Sequence, residues 1–135
     1  MIQMKLIRFA LLPLLLILNL SAHAQEDKRR WIYVTKSALD ENYYYNTNIK
    51  RLAKGRIIVW TKILGTDKAT MLTLEEFDCY GERERALSIV LYGDKQELIG
   101  STTIAKPKWK FSAPDSVGDK MLRVVCNAAT KRKFR

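Results

Sequence analysis

The chain has 135 residues and a formal net charge of +10, from 24 lysines and arginines against 14 acidic residues, with a single histidine. This length suits one domain, and the charge excess bears on association and steering rather than on fold. The lone histidine, His23, falls in the first 24 residues; beyond it there is no imidazole for a Ser-His-Asp triad, a Cys-His pair or a histidine metal site.

Residues 1–24 have a basic start (Lys5, Arg8), an apolar run from Phe9 to Leu20 and the small-residue ending Ala22-His23-Ala24. That is the three-part layout of a cleavable export signal. The run contains Pro13 and is shorter than the ~20 apolar residues of a membrane span; no later segment comes near that length, so no transmembrane segment is expected after cleavage. The expected product is residues 25–135, a single domain with its core over 31–129 and a basic tail at 130–135. Without Lys5 and Arg8 it keeps 22 basic against 14 acidic residues, a net charge of +8. Outside the cytoplasm the polyanions within reach are anionic lipids, acidic glycans and acidic protein surfaces, and nucleic acid is not expected as a partner. The alternative is a merely basic, soluble surface. No cysteine stands at the cleavage point to accept a lipid, so the expected location is periplasmic or secreted, with outer-surface association left open.

Trp31 to Thr35 is aromatic and β-branched and predicts a first strand. Tyr43-Tyr44-Tyr45 predicts a short second one, and Ile49 to Ala53 a single helical turn before Gly55. Arg56 to Leu64 is the clearest strand: Ile57, Val59, Thr61 and Ile63 share one face, and Ile58, Trp60, Lys62 and Leu64 the other. Neither set is cleanly polar, which predicts a central strand covered on both faces near its start. Thr70 to Cys79 follows with Met71, Thr73, Glu75, Phe77 and Cys79 on one side; charges up to Arg85 predict a turn. Ala86 to Tyr92 and Glu97 to Ile104 predict two more strands, the second with a bulge at Gly100. Lys108 to Phe111 reads as a short strand or an extended arm. Such short connections force antiparallel neighbours, and a single sheet then needs a cover for its apolar face. The cover is a helix from Ser116 to Ala128 or Ala129. Ser116 with Asp119 three residues on is a capping signal, and Val117, Met121, Leu122, Val125, Cys126 and Ala129 form one apolar stripe.

The only cysteines, Cys79 and Cys126, both lie in the exported part. In an oxidising compartment such a pair predicts one disulfide, here between the end of a central strand and the helix stripe. Two cysteines without histidine make a poor metal site, and no cofactor is expected.

The order of landmarks resembles the surface-adhesin protein E family of Gram-negative bacteria. The matching residues are Trp31, Tyr44-Tyr45, Gly55-Arg56, Val59-Trp60, Phe77-Asp78-Cys79, Ser88 with Tyr92, Trp109, Pro114 with Ser116-Val117-Gly118, and Val125-Cys126. The resemblance implies an α+β fold: one twisted antiparallel sheet of about six strands with a C-terminal helix tied by a disulfide to its concave face. It further implies a non-enzymatic binding role toward host extracellular-matrix proteins such as laminin and vitronectin, and homodimerisation. The family's adhesin is a lipoprotein and this chain lacks the lipid-accepting cysteine. The alternative is therefore a periplasmic structural or inhibitory protein that is not surface displayed.

Three basic groups are candidate contacts for an acidic partner. Lys50, Arg51, Lys54 and Arg56 cluster around the predicted turn. Lys106, Lys108 and Lys110 alternate with Trp109 and Phe111 along the arm, so that lysines take one face and aromatics the other. Lys131, Arg132, Lys133 and Arg135 follow the helix. Each also reads as a solvated surface, and the alternating lysines as the charged protection of an edge strand. Tyr43 and Tyr45, on the face opposite to Tyr44, are candidate interface residues because tyrosine is favoured there. Trp31, Trp60 and Trp109 read as core packing. Glu75, Glu76 and Asp78 supply carboxylates but nothing in the sequence fixes a pocket; Asp78 reads better as the structural partner of a base or a backbone amide.

Overall fold

The computed structural model describes residues 30–131. The export leader and, from the basic tail, Arg132, Lys133 and Arg135 lie outside the described residues. Seven strands make one antiparallel sheet: β1 (Trp31–Lys36), β2 (Asn42–Asn46), β3 (Lys50–Arg51), β4 (Arg56–Leu64), β5 (Thr70–Asp78), β6 (Arg83–Tyr92) and β7 (Leu98–Thr103). Their order across the sheet is β1-β2-β4-β5-β6-β7, with β3 paired to β4 off that path. A C-terminal helix, α1 (Val117–Lys131), completes the α+β fold. The single antiparallel sheet covered by a C-terminal helix is the architecture the sequence predicts, with β3 as a strand it does not.

Alternation places the core. β4 and β5 pair Ile57 with Phe77, Val59 with Glu75 and Thr61 with Thr73, so one face of both strands points at the helix. There Ile57, Val59, Phe77 and Tyr45 from the sheet meet Met121, Leu122, Val125 and Ala129 from α1. Val59, Phe77 and Val125 are 1%, 0% and 0% exposed and form the centre of this contact. Cys79 and Cys126 are bonded, which ties the residue after β5 to the helix stripe.

The helix starts where the capping signal puts it. The Asp119 amide donates to Ser116 Oγ at 3.2 Å, while the Asp119 carboxylate accepts the Asp115 amide at 3.0 Å rather than that of Ser116. Gly118 costs helix propensity but permits a close approach. A Cβ there would lie 3.2 Å from Glu84 Oε1 and still closer to the Ser112 side chain. The helix extends to Lys131, two residues beyond the expected end.

Several expectations are corrected. Lys50–Arg51 is extended, not helical, and the turn that follows is a 3-10 turn at Ala53–Gly55. The reason lies on β4: β2 covers only Thr61 to Leu64, which leaves the edge at Ile57 and Ile58 open for β3. β6 begins at Arg83, inside the charged stretch that predicts a turn. Those charges are tolerable because Arg83 pairs with Asp78 and Arg85 with Glu76 on the neighbouring strand. The β6–β7 irregularity falls where Leu91 faces Gly100 but Tyr92 faces Leu98, which leaves Ile99, beside Gly100, as the extra residue. β4 is central, yet only one face is covered by a layer; Ile58 and Trp60 on its back are half-buried. The three tryptophans lie outside the helix–sheet core. Trp31 sits over the Lys62 ammonium at 4.7 Å, and Trp109 stacks on the guanidinium groups of Arg83 and Arg85 at 4.7 and 4.3 Å. The lysine arm makes a single bridge, Lys110 to Glu84. The long outer edge is instead β7, where Leu98 and Ile99 are exposed.

Candidate functional site

The helix C-terminus and the β3–β4 corner meet at one end of the molecule. Arg51 bridges them: its Nε and Nη2 donate to the Ala129 carbonyl at 3.1 and 2.6 Å. The last carbonyls of a helix lack intrahelical partners and carry partial negative charge, so a guanidinium there is both a cap and a charge match. The same contact places Lys131, the first basic residue of the tail, at the end where Lys50 and Lys54 are exposed. Two basic groups that are 75 residues or more apart in sequence thus converge.

Between them lies a groove of about 400 Å³, lined among others by Arg51, Lys54, Arg56, Tyr80, Thr130 and the cystine. Gly55 shapes it. Its φ of +71° favours glycine, and a Cβ would lie 2.8 Å from the Tyr80 ring. Tyr80, which no sequence pattern singles out, is 80% exposed at the mouth. The detectable signal was only its position between Cys79 and Gly81.

The basic residues of this end are not equivalent. Arg51 is held by the helix. Arg56 donates to Glu76 Oε1 at 3.0 Å, and Arg85 takes the other oxygen of the same buried carboxylate at 2.7 Å. Lys50 and Lys54 make no ion pair among the described residues and remain exposed. On the arm, Lys110 approaches Glu84 Oε1 at 3.6 Å, while Lys106 and Lys108 are exposed. Asp78 accepts from the Gly81 amide and from Arg83 Nε, both at 2.9 Å. The Gly81 hydrogen bond first, and then Arg83, hold its carboxyl below the ordinary carboxylate range. Asp78 is thus a structural residue of the β5–β6 turn.

The tyrosine triplet splits as alternation requires. Tyr45 is 8% exposed and packs in the core, so it presents no surface to a partner. Tyr43 is half-buried on the same face. Tyr44 points to the back, where its ring holds the Lys62 ammonium at 4.5 Å opposite Trp31. Burial between the rings lowers the Lys62 pKa.

A second concavity opens on the helix-bearing face, where the start of α1 leaves the sheet uncovered. It encloses about 350 Å³; its floor includes Tyr43, Thr61, Ile63, Met71, Thr73 and Glu75. Glu84, Ile89, Lys110, Val117 and Met121 complete the wall. The Glu75 carboxylate accepts one hydrogen bond, from Thr61 Oγ1 at 2.8 Å, and has no ion-pair partner among the described residues. Burial, and secondarily the Glu84 charge, push its pKa up to about 7, against the Thr61 hydrogen bond and Lys110. The periodicity of β5 places Glu75 on the side of Phe77. A carboxylate among core positions was the signal; the short reach of the helix was not legible.

A carboxyl whose folded pKa is raised binds its proton more tightly folded than unfolded. Stability from this group is therefore fully present below its ordinary pKa of 4.5 and is lost as pH rises through about 7. At about 1.4 kcal/mol per unit the loss amounts to roughly 3 kcal/mol. Urea unfolding from pH 4.5 to 8 should show this decline in the wild type, and Glu75→Gln should flatten it. Parallel pH profiles for the two proteins would show that Glu75 titrates normally.

A family profile described as Surface-adhesin protein E matches residues 31–127. No curated protein and no solved structure gives a significant match.

Proposed function

This chain belongs to the surface-adhesin protein E family, and from that premise we propose that it is an exported, non-enzymatic binding protein that contacts acidic ligands through its basic end. The family match carries the reading, and two features support it. The cystine suits an oxidising compartment. Lys50, Lys54 and Lys131 are exposed at one end, beside Tyr80. Tyrosine is favoured at interfaces, and the flanking lysines can steer an acidic partner toward it.

The match favours this role over a structural or inhibitory protein confined to the periplasm. A hydrolytic role is less well supported. The second-face pocket holds two carboxylates, but Glu84 is committed to Ser112 Oγ at 3.1 Å and to Lys110. That leaves Glu75 without the second free carboxylate that glycoside hydrolysis uses. The acidic ligands in view are host matrix proteins such as laminin and vitronectin, or acidic glycans.

Solid-phase binding of residues 25–135 to laminin, vitronectin and heparin over a salt series tests the proposal. Contacts between exposed charges are screened within about 10 Å at 0.1 M salt. Binding should therefore be strongest at low salt and fall steeply toward physiological ionic strength. No binding to any of the three at low salt, or binding indifferent to salt, contradicts it.

A further inference from the structure

The pocket on the helix-bearing face shares no lining residue with the basic groove, and its chemistry is of the opposite sign. In a chain with a net charge of +10 it brings two carboxylates, Glu75 and Glu84, against one lysine, Lys110. Glu84 is already matched by Lys110 and Ser112. Glu75 is not: one neutral hydroxyl donor serves it, and the cavity it lines is also lined by the apolar side chains of Ile63, Met71, Ile89 and Met121. A desolvated carboxylate without a cation is half of an interaction, since burying charge is costly until it is paired. The cavity, at about 350 Å³, falls in the size class of small-molecule sites.

We propose that this cavity binds a small organic ammonium ion, an amine carrying a compact apolar body, whose charge pairs with Glu75 while its body rests on Ile63, Met71, Ile89 and Met121. The other ligand classes fit the lining less well. A divalent metal takes six or more oxygen ligands or a set of histidines and thiolates, and among the described residues no cluster of three or more such side chains occurs. An anion would meet Glu75 and Glu84 with only Lys110 in support. A neutral apolar molecule would fill the volume and leave the Glu75 charge buried without compensation.

The groups that face Glu75 set the pH dependence. Thr61 on β4 donates to it; Glu84 on β6 opposes its ionisation and Lys110 on the arm favours it. Tyr43 on β2 brings a phenol that is already bonded to Glu41 at 3.3 Å, and from α1 the lining residues Val117, Gly118 and Met121 bring no charge. Affinity for an amine should therefore follow the ionisation of Glu75, high at pH 8 and falling toward pH 5, while the amine itself stays protonated throughout.

The test is a methyl-NMR titration of residues 25–135, with isoleucine and methionine methyls labelled, using 4-phenylbutylamine as probe. 4-Phenylbutanol and 4-phenylbutyrate are its neutral and anionic counterparts. The expected result is a dissociation constant of roughly 1 mM or tighter for the amine, with shifts centred on the methyls of Ile63, Met71, Ile89 and Met121. Binding of the alcohol should be weaker and that of the acid weakest. Glu75→Gln should weaken amine binding about tenfold or more, the loss of one charge-assisted contact, and leave the alcohol unchanged. Should that variant fail to fold, the pH series of the wild type decides instead. Equal binding of the three probes, shifts confined to other methyls, or an affinity insensitive to pH between 5 and 8 would each overturn the proposal.

Discussion

Replacing Cys79 and Cys126 together by serine should lower the unfolding free energy by about 4 kcal/mol, the chain-entropy value for a ring of this size. The two residues are 47 positions apart, and the ring contains β6, β7 and the arm as well as most of α1. What the bond holds follows from its place. Cys126 sits in the second half of the helix, beside Val125 and one turn before Ala129. The first half has its own anchors in the Ser116 cap and in Met121 and Leu122. Amide exchange in the double variant should therefore accelerate most from Val125 onward and least in β4 and β5. Arg51 should suffer with it, because its acceptor is the Ala129 carbonyl. A loss below about 1 kcal/mol, far short of the entropic value, would mean that packing alone seats the helix.

Phe77→Ala should cost a similar amount, about 4 kcal/mol, within the range for emptying a buried aromatic site. Phe77 is 0% exposed and lies between Ile57 on β4 and Glu84 on β6, in the same cluster as Val125. Met121 of the same cluster can recover only part of the space: the other neighbours include β-branched residues on a central strand and a helix fixed by a covalent bond. Phe111→Ala is the matched control. Phe111 is 73% exposed, and its removal should change stability by no more than about 0.5 kcal/mol. Chemical denaturation of both variants checks the contrast, and equal losses would contradict the core described here.

What the sequence revealed depended on how local the deciding physics was. β4 was legible from Arg56 to Leu64 because the alternation of side chains is a property of the strand itself. The helix start was legible because the Ser116 cap is made within one turn. The start of β6 was not, since Arg83, Glu84 and Arg85 look like a turn until Asp78, Glu76, Ser112 and Lys110 are known to meet them. The same limit governed the candidate site. Lysines and arginines near position 50 look alike in sequence, yet Arg51 and Arg56 have structural partners, whereas Lys50 and Lys54 make no ion pair among the described residues. Alternation set Tyr44 against Tyr43 and Tyr45, but only the position of the helix decided which side became core. The tryptophans misled for a related reason: their apolar area found Lys62, Arg83 and Arg85 as lids on the back of the sheet, in cation–π contacts that no local pattern announces.

Charge reversal at Lys50 and Lys54, which are exposed and make no ion pair among the described residues, tests the proposed contact between the basic end and an acidic partner most directly. Lys50→Glu combined with Lys54→Glu changes exposed side chains outside the core cluster, so stability should hold. In the same solid-phase assay at low salt the double variant should bind laminin, vitronectin or heparin at least about tenfold more weakly than the wild type, with a flatter salt dependence. Undiminished binding by a correctly folded double variant would contradict the assignment of this end as the contact surface.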